Sequence, residues 1–390
     1  MTTRTVLIAG AGVAGLASAW WLARAGWTVT VVERAPSLRN GGYMIGLSGP
    51  GYASAERMGL LPRLSEVSYE IQENVYRDRK GREFLRLKYR DFLQGLPYLA
   101  LERTDLIAAL FETVPDGVDL RLATELTSLE TDGKDVSARL SDGAVLHPDL
   151  VIAADGLRSQ VRSRIAGEHA EHYAHLGYRF AVYEVDDTLG LGSDFLSFAE
   201  PGHLAEYYAL RGGRLAAMHV WRDGETGPVA PEARWNLLEK VTARSAEPVR
   251  AFLQTAKAGP PPLVDSLTMV DLPKWSQGRV LLLGDAAHCL TLVSGQGAGM
   301  ALASAEILAE ELARSEIDAA LVAHEQRLRP AITRLQTRSR RMAGTFVPSN
   351  PVMFHLRNTA LKHMPKAWLG RYLMNAVKSE ILLAGQPGNA

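Results

Sequence analysis

Three separated clusters hold the residues whose types and spacing could do chemistry. The first is Gly10-Ala11-Gly12-Val13-Ala14-Gly15, which follows an apolar run at 6–9 and leads into a helix-like stretch; a second apolar run then ends on Glu33. That spacing suits a dinucleotide. Gly10 permits a tight turn, Gly12 lets a pyrophosphate approach the backbone, and Gly15 lets helix and strand pack closely. Free N–H groups at the helix start would face the phosphates. Glu33 could accept both hydroxyl protons of an adenosine ribose, so a 2′-phosphate is not expected there. The second cluster, Asp155-Gly156, ends an apolar strand at 150–154. The third is Gly284-Asp285-Ala286-Ala287-His288 after the apolar run 279–283, followed by Gly295-Gln296-Gly297-Ala298-Gly299 at the start of a long helix. A glycine turn meeting a helix start is an anion or dipole site. Asp285 is an acceptor and suits a chain of hydroxyls, whereas beside a phosphate it would be repelled. His288 reads as a structural hydrogen-bonding group and Cys289 as a small buried hydrophobe rather than a nucleophile.

The elements that must position these residues alternate in type along the chain. Strand, helix and strand open it, and the glycine-dense stretch 39–51 is where backbone must come close to something. Helical spacing returns at 52–58 and at 104–114, with Thr104 as N-cap and Arg103 just before it. The segments 118–122, 127–131, 136–140 and 145–147 read as a small antiparallel meander with Asp142-Gly143 as a hairpin turn. Short strands at 178–185, 195–199, 205–210 and 215–221 form an antiparallel sheet. Positions 231–256 are helical, stopped by Gly259-Pro260-Pro261-Pro262.

The expected architecture is therefore α/β: a discontinuous Rossmann-like cofactor domain (1–70, 101–172 and 265–345), an inserted antiparallel substrate domain (71–100 and 173–264), and a C-terminal helical segment (346–390). A chain of 390 residues is too long for one small core. Lys plus Arg and Asp plus Glu both number 43, so nothing calls for nucleic acid as a partner. One cysteine allows no internal disulfide, and no Cys/His cluster has metal-ligand spacing, which fits a reducing, cytoplasmic setting without a structural metal. Trp20, Trp21 and Arg24 break the first apolar stretch as a leader, and no segment has the length of a membrane span. The basic amphipathic stretch 353–383 could lie on a membrane, but is read as packing on its own protein with its cations on the wet side. The arginines of 327–341 read as a solvated helix face.

Taken together, the three signatures resemble the single-component flavin-dependent aromatic hydroxylases, the para-hydroxybenzoate hydroxylase family, over roughly residues 4–345. Arg39-Asn40-Gly41-Gly42 and the chain length are similar to the antibiotic-modifying branch, which includes tetracycline-inactivating monooxygenases. The resemblance implies that Gly10, Gly12, Val13, Ala14 and Gly15 hold the FAD pyrophosphate, that Glu33 binds the adenosine ribose, and that Arg34 flanks the adenine. It places Arg39 and Gly42 near the cofactor and Arg103 by the ribityl and phosphate region. It sets Asp155-Gly156 at a motif linked in that family to both the flavin and the nicotinamide donor. Gly284 and Asp285 reach the ribityl chain, and Gly295, Gln296, Gly297, Ala298 and Gly299 face the flavin pyrimidine edge. Three positions depart from the family: Leu292 stands where proline is usual, Gly299 where asparagine is frequent, and Gly46 where the tetracycline branch often has an acid. The flavin loop is accordingly expected to be freer than in the family.

The implied activity is monooxygenation. NADH or NADPH reduces the flavin, and oxygen reaches an aromatic or polycyclic small hydrophobic substrate through a hydroperoxide at the flavin C4a carbon. Two alternatives stand beside it: a flavin oxidoreductase that inserts no oxygen, and a non-catalytic protein that holds FAD and sequesters a ligand. Phe180, Tyr183, Phe195, Phe198, Tyr207, Met218 and Trp221 are candidate pocket liners, although strand alternation does not by itself say which face they occupy. His219 is a candidate base for a phenol.

Overall fold

The computed structural model describes residues 3–38, 43–89, 93, 95–167, 169–192 and 194–364. A six-stranded sheet runs in the order Ser276–Gln277, Val280–Leu282, Leu150–Ala153, Thr5–Ala9, Thr28–Val32, Asp119–Arg121. Every neighbouring pair is parallel except the first. Its strands are near-continuous apolar runs because both faces are covered, and Leu7 and Ile8 are wholly buried. Parallel pairing brings the C-terminal ends of four strands to one edge. Gly10, Glu33, Asp155 and Asp285 therefore meet there from positions far apart in the chain.

The segment at 118–122 does not join the meander. Its core, Asp119–Arg121, pairs in parallel with Thr28–Val32 at the edge of the large sheet, while Leu126–Thr131, Val136–Leu140 and Val145–Leu146 make the antiparallel three-stranded sheet alone. The pairing partner lies about ninety residues upstream, so local alternation carried no trace of it. The helix expected from Thr104 begins at Arg103, whose N–H donates to the Tyr43 carbonyl.

A seven-stranded sheet runs Leu263–Val270, Tyr173–Asp186, Arg214–Arg222, His203–Leu210, Phe195–Glu200, Glu73–Arg77, Glu83–Lys88. It is antiparallel apart from the pairing of Phe195–Glu200 with Glu73–Arg77. The helical region 231–256 is two helices, Pro231–Thr242 and Glu247–Ala256, broken where Pro248 can only enter a first turn. Their apolar stripes cover one face of this sheet. The other face turns toward the six-stranded unit.

The helix Ile317–Phe346 holds the arginines expected on a solvated face, and Arg329 departs from that reading. It donates to the Leu272 and Pro273 carbonyls and lies over the Trp275 ring. No helix among the described residues is long and apolar enough to cross a membrane. Of the basic C-terminal stretch, the helix Pro351–His363 buries Phe354, and Arg357 donates to the Thr345 and Phe346 carbonyls instead of facing water. The rest of that stretch, from 365 on, lies outside the described residues.

Candidate functional site

The first cluster folds as its spacing requires. A side chain at Gly10 would collide with the Ala154 carbonyl, and one at Gly15 would collide with the Gly10 carbonyl. Gly12 has open space where a Cβ would stand. It caps the helix Val13–Arg24, whose first turn holds no acid, so its N–H groups look into a cleft. At the next strand end, Glu33 is fixed by backbone: Oε2 accepts from Ala11 N–H at 2.9 Å and Oε1 from Ala35 N–H at 3.0 Å. Each oxygen keeps a second lone pair for a sugar hydroxyl. Arg34, Arg103, Asp155 and Gly156 line the same cleft. One Asp155 oxygen accepts from the Gln160 and Val161 amides, and the other is buried without a partner among the described residues. Arg39 and Gly42 lie outside the described residues.

The third cluster stands beside that cleft, with Asp285 in the field of Arg103, which lines it. Gly284 packs against the first helix, since a Cβ there would come within 2.8 Å of the Ala14 methyl. Asp285 keeps accessible surface yet is surrounded by protein. That enclosure pushes its carboxyl up, opposed by the Arg103 guanidinium and a hydrogen bond from Cys289. Burial pushes the Cys289 thiol well up, which fits an inert thiol. His288 is buried against the Trp275 ring, and burial pulls it down to about 4. Gly297 begins the helix Gly297–Arg314 beside Asp285, with a Cβ position 3.8 Å from Oδ1, and Gln296 caps it.

The expected freedom of this loop is corrected by its packing. Gly299 is buried, and its backbone meets Gly51 of the helix Gly49–Arg57 so closely that a Cβ on Gly51 would overlap it. Leu292 sits in a short helix, Thr291–Ser294, between two left-handed residues, Thr291 (φ 64°) and Gly295 (φ 67°), and packs with Val293, Tyr178 and Val220. Contacts hold the loop where the family uses a proline ring.

Beside the third cluster stands the seven-stranded sheet, and its alternation separates the candidate liners. Phe180, Phe195 and Met218 lie on the face turned toward Asp285, each half-buried. Tyr183, Phe198, Tyr207 and Trp221 lie on the opposite face, packed among Leu238, Val249 and Phe252 of the covering helices, and are sheet core rather than pocket. His219 is on that far face too. Wholly buried and next to His203, it is held well below its ordinary range and does not open on the face turned toward Asp285, so it is not the base for a phenol there.

Three residues that sequence reasoning passed over join these parts. Tyr43 meets Phe180 edge-on at 6.4 Å and lies in the field of Arg103 and Asp285; burial raises its hydroxyl to about 12. Arg162, almost wholly buried, donates to the Ala286 and Leu157 carbonyls and to the Tyr173 hydroxyl, tying the second cluster to the third. Its signal was an Arg in the helical stretch that follows Asp155-Gly156. Glu206, an acid in mid-strand on the face toward Asp285, is pushed up by burial. Its signal was a charge inside the apolar run 203–210.

The chain matches the FAD binding domain family over residues 3–205 and 265–330. It is 33% identical over 317 residues to the uncharacterized protein Rv1260 of Mycobacterium tuberculosis, covering 79% of this chain and 85% of that one. It is 30% identical over 354 residues to 3-hydroxybenzoate 6-hydroxylase 1 of Aquipseudomonas alcaligenes, covering 86% and 87%. Its fold is similar to that of the tetracycline destructase Tet(55), with a TM-score of 0.83 at 24% identity over 98% of this chain and 97% of the other. These likenesses settle the family: the chain belongs to the FAD binding domain family, among the flavin-dependent monooxygenases.

Proposed function

We propose that this FAD-dependent monooxygenase inserts one oxygen atom from O₂ into an aromatic or polycyclic small molecule, with NADH or NADPH as electron donor. The observation that carries the reading is Tyr43, which touches the aromatic sheet face at Phe180 while sharing the surroundings of Arg103 and Asp285. The substrate face and the cofactor cleft thus border one space. FAD, when bound, supplies the redox chemistry and the oxygen transfer.

The chain's own residues bind, orient and keep the site dry. Gly10, Gly12, Val13, Ala14 and Gly15 receive the pyrophosphate at the helix start, Glu33 accepts the adenosine ribose hydroxyls, and Arg34 flanks the adenine. Arg103 would hold the ribityl and phosphate region, and Asp285, with Gly284 behind it, would accept from ribityl hydroxyls. The first-turn amides of Gly297, Ala298 and Gly299 would face the pyrimidine edge, where a helix start favours negative charge, whereas those of Gly295 and Gln296 already donate to the Leu292 carbonyl and to Ser294 Oγ and would shape the loop instead. Asp155-Gly156 borders both cofactor and donor, and Arg39 and Gly42 enter this proposal on sequence alone. Phe180, Phe195 and Met218 exclude water from the reacting end.

Labelled dioxygen tests the reading. Polycyclic phenols that accelerate nicotinamide oxidation should yield product carrying the label; unlabelled oxidised product would overturn oxygenation in favour of an oxidoreductase. Asp285→Ala should lose most of its bound flavin on purification. Full yellow occupancy of that variant would refute the ribityl placement.

A further inference from the structure

One acid on the sheet face toward Asp285 has no task in that scheme. Glu206 lies in the strand His203–Leu210, opposite Ser197 on one side and Met218 on the other. Its Oε2 is 3.2 Å from Asn74 Nδ2 and 3.2 Å from Ser197 Oγ, while Ser197 Oγ is 2.9 Å from Asn74 Oδ1. Asn74 and Ser197 are wholly buried. A serine hydroxyl has a single hydrogen. Given to Asn74 Oδ1, the shorter contact, it leaves the Ser197 to Glu206 contact without one unless the carboxyl supplies it. All three groups are satisfied when Glu206 Oε2 carries a proton, donates it to Ser197 and accepts from Asn74.

The surroundings favour that state. The hydroxyls of Tyr76 and Tyr89 lie beside Ser197 and Asn74, and Tyr208 stands within the field of Glu206. No cation among the described residues acts on the carboxyl, and burial pushes it up, outweighing the Ser197 and Asn74 hydrogen bonds that draw it down. Its Oε1 has no hydrogen-bond partner among the described residues, and Glu206 stays half-exposed on a face otherwise lined by Phe195, Met218 and Phe180. Phe195 stacks on Tyr208 at 5.0 Å and meets Tyr89 edge-on at 6.1 Å, which makes this part of the face aromatic.

We propose that Glu206 anchors the substrate: a neutral carboxyl whose Oε1 accepts the hydroxyl proton of a flat, uncharged ring system. The pocket then takes hydroxylated polycycles and rejects aromatic carboxylates, which would bring a second acceptor to an acceptor with no counter-ion nearby. This rests on the oxygenase reading and sharpens its substrate class.

The test is binding without turnover. Flavin-loaded protein is titrated anaerobically with 2-naphthol and with 2-naphthoate, and the change in flavin absorbance is followed. Wild type should bind naphthol roughly tenfold or more tighter than naphthoate. Glu206→Gln, whose amide oxygen still accepts, should stay within about threefold of wild type for naphthol, and Glu206→Leu should weaken about tenfold with flavin content unchanged. Naphthoate bound as tightly as naphthol, equal losses in both variants, full binding in the leucine variant, or no naphthol binding would each overturn the proposal. If the leucine variant loses its flavin, the wild-type preference and the glutamine variant decide. Because oxygen is absent, failure here and failure of label incorporation are separate results.

Discussion

The two faces of the seven-stranded sheet both hold polar side chains, and they treat them differently. On the helix-covered face, Glu200 Oε1 pairs with His203 Nδ1 at 2.9 Å and with Ser245. His203 meets His219 at 3.1 Å, and His219 meets the Tyr183 hydroxyl at 3.1 Å. Arg79 closes the chain at its outer end. Each member of that chain is answered by another. On the face toward Asp285, Asn74 and Ser197 satisfy one side of Glu206 and leave one of its oxygens to the open space. Buried polarity therefore does not by itself mark a site. A network complete within the fold reads as structure, and one with a spare acceptor reads as recognition.

Substitutions on opposite faces of a single strand are the strongest way to break this comparison. Trp221→Ala, on the covered face, should cost about 3–5 kcal/mol in urea unfolding. Met218→Ala, three residues earlier on the open face, should cost about 1 kcal/mol and instead raise the KM for substrate. Equal stability losses would show that the faces are assigned wrongly. Next in size is Glu200→Gln, which leaves the far-face chain short of its anion and should cost about 3 kcal/mol with an unaltered KM. A changed KM with intact stability would mean that this chain communicates with the pocket.

The smallest effect concerns pH and has opposite signs on the two sides. His219 lies well below its ordinary value, and elsewhere in the core burial takes His288 to about 4 and His324 to about 3. The unfolded chain protonates these groups near pH 6.5, which the folded chain resists. Their stability contribution is full above about pH 6.5 and is lost as pH falls toward about 4. Glu206, raised by burial, holds a proton that the unfolded chain releases above about pH 4.5, so it lowers stability as pH rises. Thermal melts should therefore show a falling Tm on acidification and a slightly higher Tm for Glu206→Gln than for wild type at about pH 8, with no gain near pH 4. A gain confined to acid would reverse the protonation assigned to Glu206.

Much of the cofactor cleft was legible because its parts are short and local. A strand, a glycine turn and a helix start sit within a dozen residues, and parallel pairing then gathers such units at one sheet edge. The rest depended on contacts that no local window contains. Alternation named Phe180 and Tyr183 equally, since one face packs under helices and the other turns partly open toward the six-stranded unit, and both carry aromatics. The parallel partner of Asp119–Arg121 is remote, and so is the seat of Gly299, whose neighbour Gly51 comes from the other end of the chain. Reading Gly299 as freedom was the natural inference from its missing side chain, and the structure gives that absence to a close approach.

That approach ties two functions to one fulcrum. The strand Met44–Ser48, with Tyr43 just before it, runs straight into the helix that carries Gly51, and Gly299 belongs to the helix whose first amides flank Asp285. A single methyl at position 51 would wedge these helices apart, shifting the helix start beside Asp285 and the aromatic rim at Tyr43 in the same movement. Drift at that spot would have to be matched on both sides at once.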